Sequence, residues 1–322
     1  MSRTVLSIVI SSVAAFLPAQ EVTWTQDFAA AKAKAKAEQK HLLLDFTGSD
    51  WCTWCIRLDD EVFTKEAFAT AVPKDFVLVK LDFPRDESRV SAEVREQNDT
   101  LQQHYGIRGF PTILLTDADG LPYAQTGYQK GGPEKYVEML AGLKKQGDTF
   151  VAAMQQAATK QGVERAAALD AALSALDEEL VDAHHLATMQ EIVELDADGK
   201  AELKAKYADK VALLAAAKEL DREAQAIGKV IGPFMQDGAA EKALAHLEEI
   251  LKAPKNEVQQ QVALYFKGMV IMDSTEDAKA AIAALEAAKA VRPSSPLVEQ
   301  IDRMLPQIRK LAEQQGGDDG AK

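Results

Sequence analysis

Cysteine is almost absent from this chain. Two occur in 322 residues, both within GSDWCTWCIRLDDEVF, residues 48–63. That excludes a disulfide-dense scaffold and a zinc site built from four thiolates. Histidine is also scarce, with five in all. Neither His41 nor His104, the two nearest in sequence, stands at ligand spacing to the cysteines. Positive charge is in deficit, with 37 Lys and Arg against 50 Asp and Glu, for a net charge of −13. This argues against nucleic acid or an anionic membrane surface as the main partner. No apolar run reaches the roughly 20 residues of a membrane-spanning helix.

One uncharged run does occur. Val5–Leu17 follows Arg3 and is broken by Ser7, Ser11 and Ser12; Leu17-Pro18-Ala19 then ends on a small residue. The pattern predicts a secretory signal peptide over 1–19, cut near Ala19. The mature chain, with no span of its own, is expected in the periplasm or secreted, where disulfides persist.

Beyond this leader the sequence has two characters. Trp24–Lys40 is rich in Ala and Lys and predicts a surface helix. HLLLDFTG (41–48), FVLVKLDF (76–83) and PTILLT (111–116) are short apolar runs that predict strands. The signal DADG at 117–120 turns the last of them into a fourth strand, LPYAQTGY. Residues 56–72, 94–105 and 133–145 have helical patterns. The order predicts an α/β fold: a mixed central sheet flanked by helices on both faces. From about Gly147 strand-like runs vanish and Ala, Glu, Leu and Lys dominate. The predicted organisation is a first domain over 20–147, an all-helical domain over 148–315 and a disordered tail over 316–322. Within the helical part, residues 263–293 resemble a tetratricopeptide repeat. Gly268, Ala281, Leu285, Ala288 and Pro293 fall at its small, small, large, small and proline positions if one residue is inserted near Ser274.

Cys52 and Cys55 are too close for a bond between them to restrain a long loop, so its chain-entropy contribution is small. Three readings stand beside each other: half a metal site, an inert structural disulfide, or a redox pair. A zinc site lacks further ligands, and c-type haem attachment is excluded because Ile56, not His, follows Cys55. A Cys-x-x-Cys at a helix start puts the first sulfur against unsatisfied amides that favour thiolate, the species that attacks disulfides. The redox reading calls for no cofactor and no metal. Of the other polar clusters, His184-His185 reads as a solvated pair. Asp196-Ala197-Asp198-Gly199 reads as a helix–helix turn lacking the later ligands of a calcium loop.

Residues 24–146 resemble a thioredoxin-fold domain. The matching features are Asp45 in LLLDF, Trp51-Cys52-Thr53-Trp54-Cys55, Lys80 in VLVKLDF, and Gly106-Ile107-Arg108-Gly109-Phe110-Pro111-Thr112. The run DWCTWCIRLDDEVF is also similar to the domain that ends the bacterial membrane electron transporter for periplasmic disulfide reduction. The helix-start position already assigns Cys52, expected to be exposed on the loop edge, as the nucleophile, and Cys55, one turn in and more buried, as the residue that resolves the mixed disulfide. The resemblance implies that Asp45 takes the Cys55 proton, that Lys80 tunes Asp45, and that Pro111 is cis. The Phe110 backbone would pair with an extended substrate, flanked by Trp51, Thr53 and Trp54. Three departures are plain: Thr-Trp lies between the cysteines, Asp45 stands one residue further from Cys52, and the connection over 84–100 is longer.

The leading expectation is an exported thiol–disulfide oxidoreductase acting on disulfide-containing or dithiol proteins, most simply as a reductant. It would need an external redox partner, such as a membrane electron donor. The rivals are an oxidase or isomerase, and a non-enzymatic scaffold acting through the helical domain; Cys52→Ser discriminates the last.

Overall fold

The computed structural model describes residues 22–275 and 277–318, so the expected signal peptide lies outside the described residues. Five strands form one mixed sheet: β1 (Trp24–Thr25), β2 (His41–Thr47), β3 (Phe76–Asp82), β4 (Thr112–Thr116) and β5 (Pro122–Thr126). Their order across the sheet is β1-β3-β2-β4-β5. β3 is parallel to both β1 and β2, and the β2–β4 and β4–β5 pairs are antiparallel. β2 is the central strand and every one of its residues is buried, which is why its middle, 42–46, reads as an apolar run interrupted only by Asp45.

Alternation along β2 and β3 gives the sheet two distinct faces. Leu42, Leu44 and Phe46 join Val77, Val79 and Leu81 in one core, with Ala31 and Ala35 of α1 (Phe28–Glu38) and Leu101 and Tyr105 at the end of α4 (Ala92–His104). By the same alternation Asp45 and its register partner Lys80 point to the opposite face. The elements in that direction are α2 (Thr53–Leu58), a π-helical turn (Asp59–Phe63), α3 (Glu66–Ala71) and α5 (Gly132–Ala158). Trp24, Phe63 and Phe68 pack ring on ring there, with centroids 4.8–6.2 Å apart.

Three expectations about elements are corrected. Trp24–Lys40 is not one helix: Trp24–Thr25 pairs with β3, and Asp27 caps α1 by accepting the Ala30 amide. Residues 56–72 are not one helix either, since the π-helical turn interrupts them. α5 runs straight through residue 147, where the boundary between domains was expected. Gly147 is the reason: a Cβ there would come within 2.4 Å of the Tyr123 ring, so the bare backbone lets α5 continue across β5.

The chain divides instead into two compact units at His185 and Leu186. The first therefore also holds α6 (Gly162–Leu173) and α7 (Glu178–His184). His184 and His185 are not a solvated pair. His185 is fully buried, its Nε2 lies 2.7 Å from the Pro122 carbonyl oxygen of β5, and its ring meets Phe150 at 5.4 Å. Burial lowers the pKa of both, that of His184 to about 4.

The second unit is helical: α8 (Leu186–Leu195), α9 (Leu203–Gln236), α10 (Ala240–Lys252), α11 (Glu257–Thr275), α12 (Ala278–Val291) and α13 (Pro296–Asp318). Asp196 ends α8 and accepts the amides of Ala201 and Lys204, making the predicted turn. Helix α13 extends through Asp318, into the stretch expected to be a disordered tail. No helix among the described residues is long and apolar enough to cross a membrane.

Candidate active site

The site begins where β2 ends. Gly48 accepts the amides of Trp51 and Cys52 and turns the chain into α2, with Cys52 as the capping residue. The two sulfurs are bonded, and the Cys55 amide donates to Cys52 Sγ at 3.2 Å. That amide is one of the unsatisfied donors at a helix start, and it is aimed at the sulfur that would carry negative charge in the dithiol form. The expectation of an exposed Cys52 is corrected: Cys52 is 7% and Cys55 3% exposed. What stands out into solvent is the flanking pair, Trp51 at 37% and Trp54 at 48%. Thr53 is exposed between them.

Trp51 is held from several sides. Its Nε1 donates to the Phe83 carbonyl oxygen at 2.8 Å, and its ring meets Phe110 edge to face at 5.8 Å. The ring lies over Gly48 so closely that a Cβ there would come within 2.5 Å of it. Phe83 in turn stacks between Phe110 and Phe46, so an aromatic row runs from the site into the core. The Phe110–Pro111 peptide bond is cis. Gly127, after β5, comes so near that a Cβ would stand 3.0 Å from the Pro111 carbonyl oxygen.

Below the surface lies Asp45, 2% exposed, with Oδ1 lacking a hydrogen-bond partner. Burial raises its pKa to about 7; the Lys80 charge opposes the rise, while Asp59 and Asp82 add to it. A carboxyl poised there can take or give a proton at neutral pH. Lys80 gives its ammonium to Asp59, 3.0 Å away, rather than to Asp45. Tyr136 of α5 is buried and donates to the Gly127 carbonyl oxygen at 3.2 Å; burial and the Asp45 charge raise its pKa.

Two parts of the site escape sequence reasoning. Asp59 is one, four residues beyond Cys55. The other is a polar cluster on α2: the Arg57 guanidinium lies 5.1 Å from the Trp54 ring and 5.2 Å from that of Tyr128, and is paired with Glu61 at 2.7 Å. Glu61 also accepts the Tyr128 hydroxyl at 2.7 Å. The i, i+4 spacing of Arg57 and Glu61 was visible, but Tyr128 is 67 residues from Glu61. Among the described residues no group of three or more His, Cys, Asp or Glu is placed to hold a metal ion. His41 instead meets Asp148 at 2.9 Å.

Comparison with known proteins points the same way. A thioredoxin-like domain family matches residues 28–144. A disulfide bond reductase of Chlamydia pneumoniae, DsbH, is 33% identical over 121 residues, which are 38% of this chain and 72% of that protein. The thiol:disulfide interchange protein DsbD of Actinobacillus pleuropneumoniae serotype 5b is 29% identical over 102 residues, 31% of this chain but only 16% of its own length. A solved DsbH oxidoreductase structure is 29% identical, covering 42% of this chain and 95% of that one, with a TM-score of 0.39. The matched domain lies within the first unit. The chain belongs to the thioredoxin-like family of thiol–disulfide oxidoreductases.

Proposed function

We propose that the chain is an exported reductase of protein disulfides. The observation that carries this reading is the Cys52–Cys55 bond at the start of α2, with the Cys55 amide donating to Cys52 Sγ, in a domain whose central strand holds a buried carboxyl, Asp45, with a pKa of about 7. The name of DsbH as a disulfide bond reductase supports the direction. The run from Val5 to Leu17 supports export to the periplasm or the exterior.

The cycle starts when an external dithiol donor gives two electrons and two protons to the Cys52–Cys55 bond. Cys52 thiolate then attacks a substrate disulfide; one Cys52–substrate bond forms, and the leaving substrate sulfur takes a proton. Cys55 passes its proton to Asp45 and attacks Cys52 Sγ. The Cys52–Cys55 bond reforms and the second substrate sulfur leaves as a thiol. Phe110 offers its backbone to an extended substrate segment beside Pro111, with Trp51, Thr53 and Trp54 along its edge. Lys80, through Asp59, sets the charge around Asp45. No cofactor takes part.

The helical unit has a separate reading. Gly268 of α11 would place a Cβ 2.8 Å from Leu285 of α12, and Ala281, Leu285 and Ala288 are all fully buried. That packing supports a tetratricopeptide-like hairpin that docks a partner, either the electron donor or the substrate.

The test is trapping. Pre-reduced Cys55→Ser, mixed with a disulfide-bonded protein, should accumulate a mixed disulfide through Cys52, identified by mass spectrometry of the cleaved adduct. Cys52→Ser should accumulate none. Equal adduct in both variants would overturn the assignment.

A further inference from the structure

Each exposed tryptophan beside the disulfide carries an arginine on its face, and the two differ in what neutralises them. Arg57, on Trp54, is paired with Glu61. Arg85 lies 5.5 Å from the Trp51 ring centre, is exposed, and has no carboxylate partner for its guanidinium among the described residues. An exposed cation–π contact stabilises by only about 0.5–1 kcal/mol, so stacking alone is a weak reason to fix a cation there.

The fixing is nevertheless thorough. The three residues before Cys52 grip the segment that carries Arg85 at consecutive points. Ser49 binds the Asp82 carboxylate through its amide and hydroxyl, at 2.9 and 2.6 Å. Both oxygens of Asp50 accept amides, from Arg85 and Asp86, at 2.9 Å each. Trp51 donates to Phe83. The active-site loop therefore sets where Arg85 stands. The oxygens of Asp50 and Asp82 are turned to backbone and hydroxyl donors of the loop, so neither forms an ion pair with the Arg85 guanidinium.

We propose that Arg85 is a specificity-determining residue: its guanidinium receives an Asp or Glu carboxylate of the partner polypeptide, carried close to the reacting cysteine on the segment that lies along Phe110. This rests on the thiol–disulfide exchange reading above. The chemistry fits, because a planar guanidinium binds a carboxylate through two parallel hydrogen bonds and its other face stays on the indole. Trp51 meets Phe110 edge to face, so a strand paired with the Phe110 backbone passes beside this shelf.

The experiment uses the pre-reduced full chain and two synthetic peptides, each closed by one disulfide and identical except for two glutamates or two lysines beside the first cysteine. Second-order rates are read from tryptophan fluorescence. Wild type should reduce the glutamate peptide faster than the lysine peptide by about fivefold, the range of an exposed ion pair. Arg85→Glu should reverse the order, and Arg85→Lys should keep it. Equal rates for the two peptides with wild type, or the same ratio in Arg85→Glu, would overturn the proposal and leave the exchange reading intact. Reduction of neither peptide would overturn both.

Discussion

Lys80 stands opposite Asp45 in the register of the two central parallel strands, yet gives its ammonium to Asp59, 3.0 Å away. Asp45 is thus left buried, with its Oδ1 lacking a hydrogen-bond partner. Burial wins over the lysine and holds the carboxyl near 7, as the proposed proton transfer from Cys55 requires.

Asp59→Asn tests that arrangement. The change removes a negative charge that raises the Asp45 pKa and frees Lys80, which lowers it, so both effects have the same sign. The midpoint of the pH profile for resolving a trapped mixed disulfide should move toward acid by about one pH unit. An unmoved midpoint would show that Asp59 does not act on Asp45.

Asp45→Asn should make the fold more stable and the enzyme slower. An acid whose folded pKa is raised binds its proton more tightly in the folded state, so stability falls as pH rises through the interval from the ordinary value of 3.8 to about 7. That interval corresponds to about 4 kcal/mol at most. Chemical denaturation should show the variant ahead of wild type at pH 8 and level with it at pH 4. Resolution of the mixed disulfide should slow by about 100-fold, the low end for a lost general base.

His184 works in the opposite direction. Its folded pKa of about 4 lies below the ordinary 6.5, so the unfolded chain takes up the proton first and stability is lost as pH falls from 6.5 toward 4. His184→Gln should remove about 2–3 kcal/mol of this acid loss, seen as a smaller drop in Tm of the first unit between pH 7 and pH 4.5. The same drop in the variant would contradict the buried, neutral histidine.

Gly48→Ala should push the Trp51 indole off its seat, because the added methyl would lie 2.5 Å from the ring. Overpacking of this kind costs about 1–3 kcal/mol. Exchange should slow and the Trp51 emission should shift to that of a solvated indole, with Cys52 and Cys55 still able to bond.

Much of this was legible because local pattern and tertiary role coincide. β2, β3 and β4 are buried on both faces, so they stand out as apolar runs, and Cys52-Thr53-Trp54-Cys55 carries its chemistry in its spacing. Elsewhere the deciding partner is remote. Trp24–Thr25 becomes a strand only because Leu78 and Val79 offer an edge. Asp59 matters only through Lys80 on β3, and Arg85 only through Asp50 and Trp51. Residue 147 looked like a boundary because the composition changes there, but α5 runs on through it, and Tyr123 occupies the space a side chain at Gly147 would need. The histidine pair looked solvated because its helix is rich in alanine and acid, and nothing local reveals that β5 covers it.

The most direct measurement is the equilibrium of the Cys52–Cys55 couple against dithiothreitol and glutathione, followed by tryptophan fluorescence. The account predicts a single two-electron transition, about 30 mV per decade, near about −270 mV as suits a reductant, and its loss in Cys52→Ser. A transition near about −120 mV would reverse the proposed direction, and no transition at all would contradict exchange chemistry at this site.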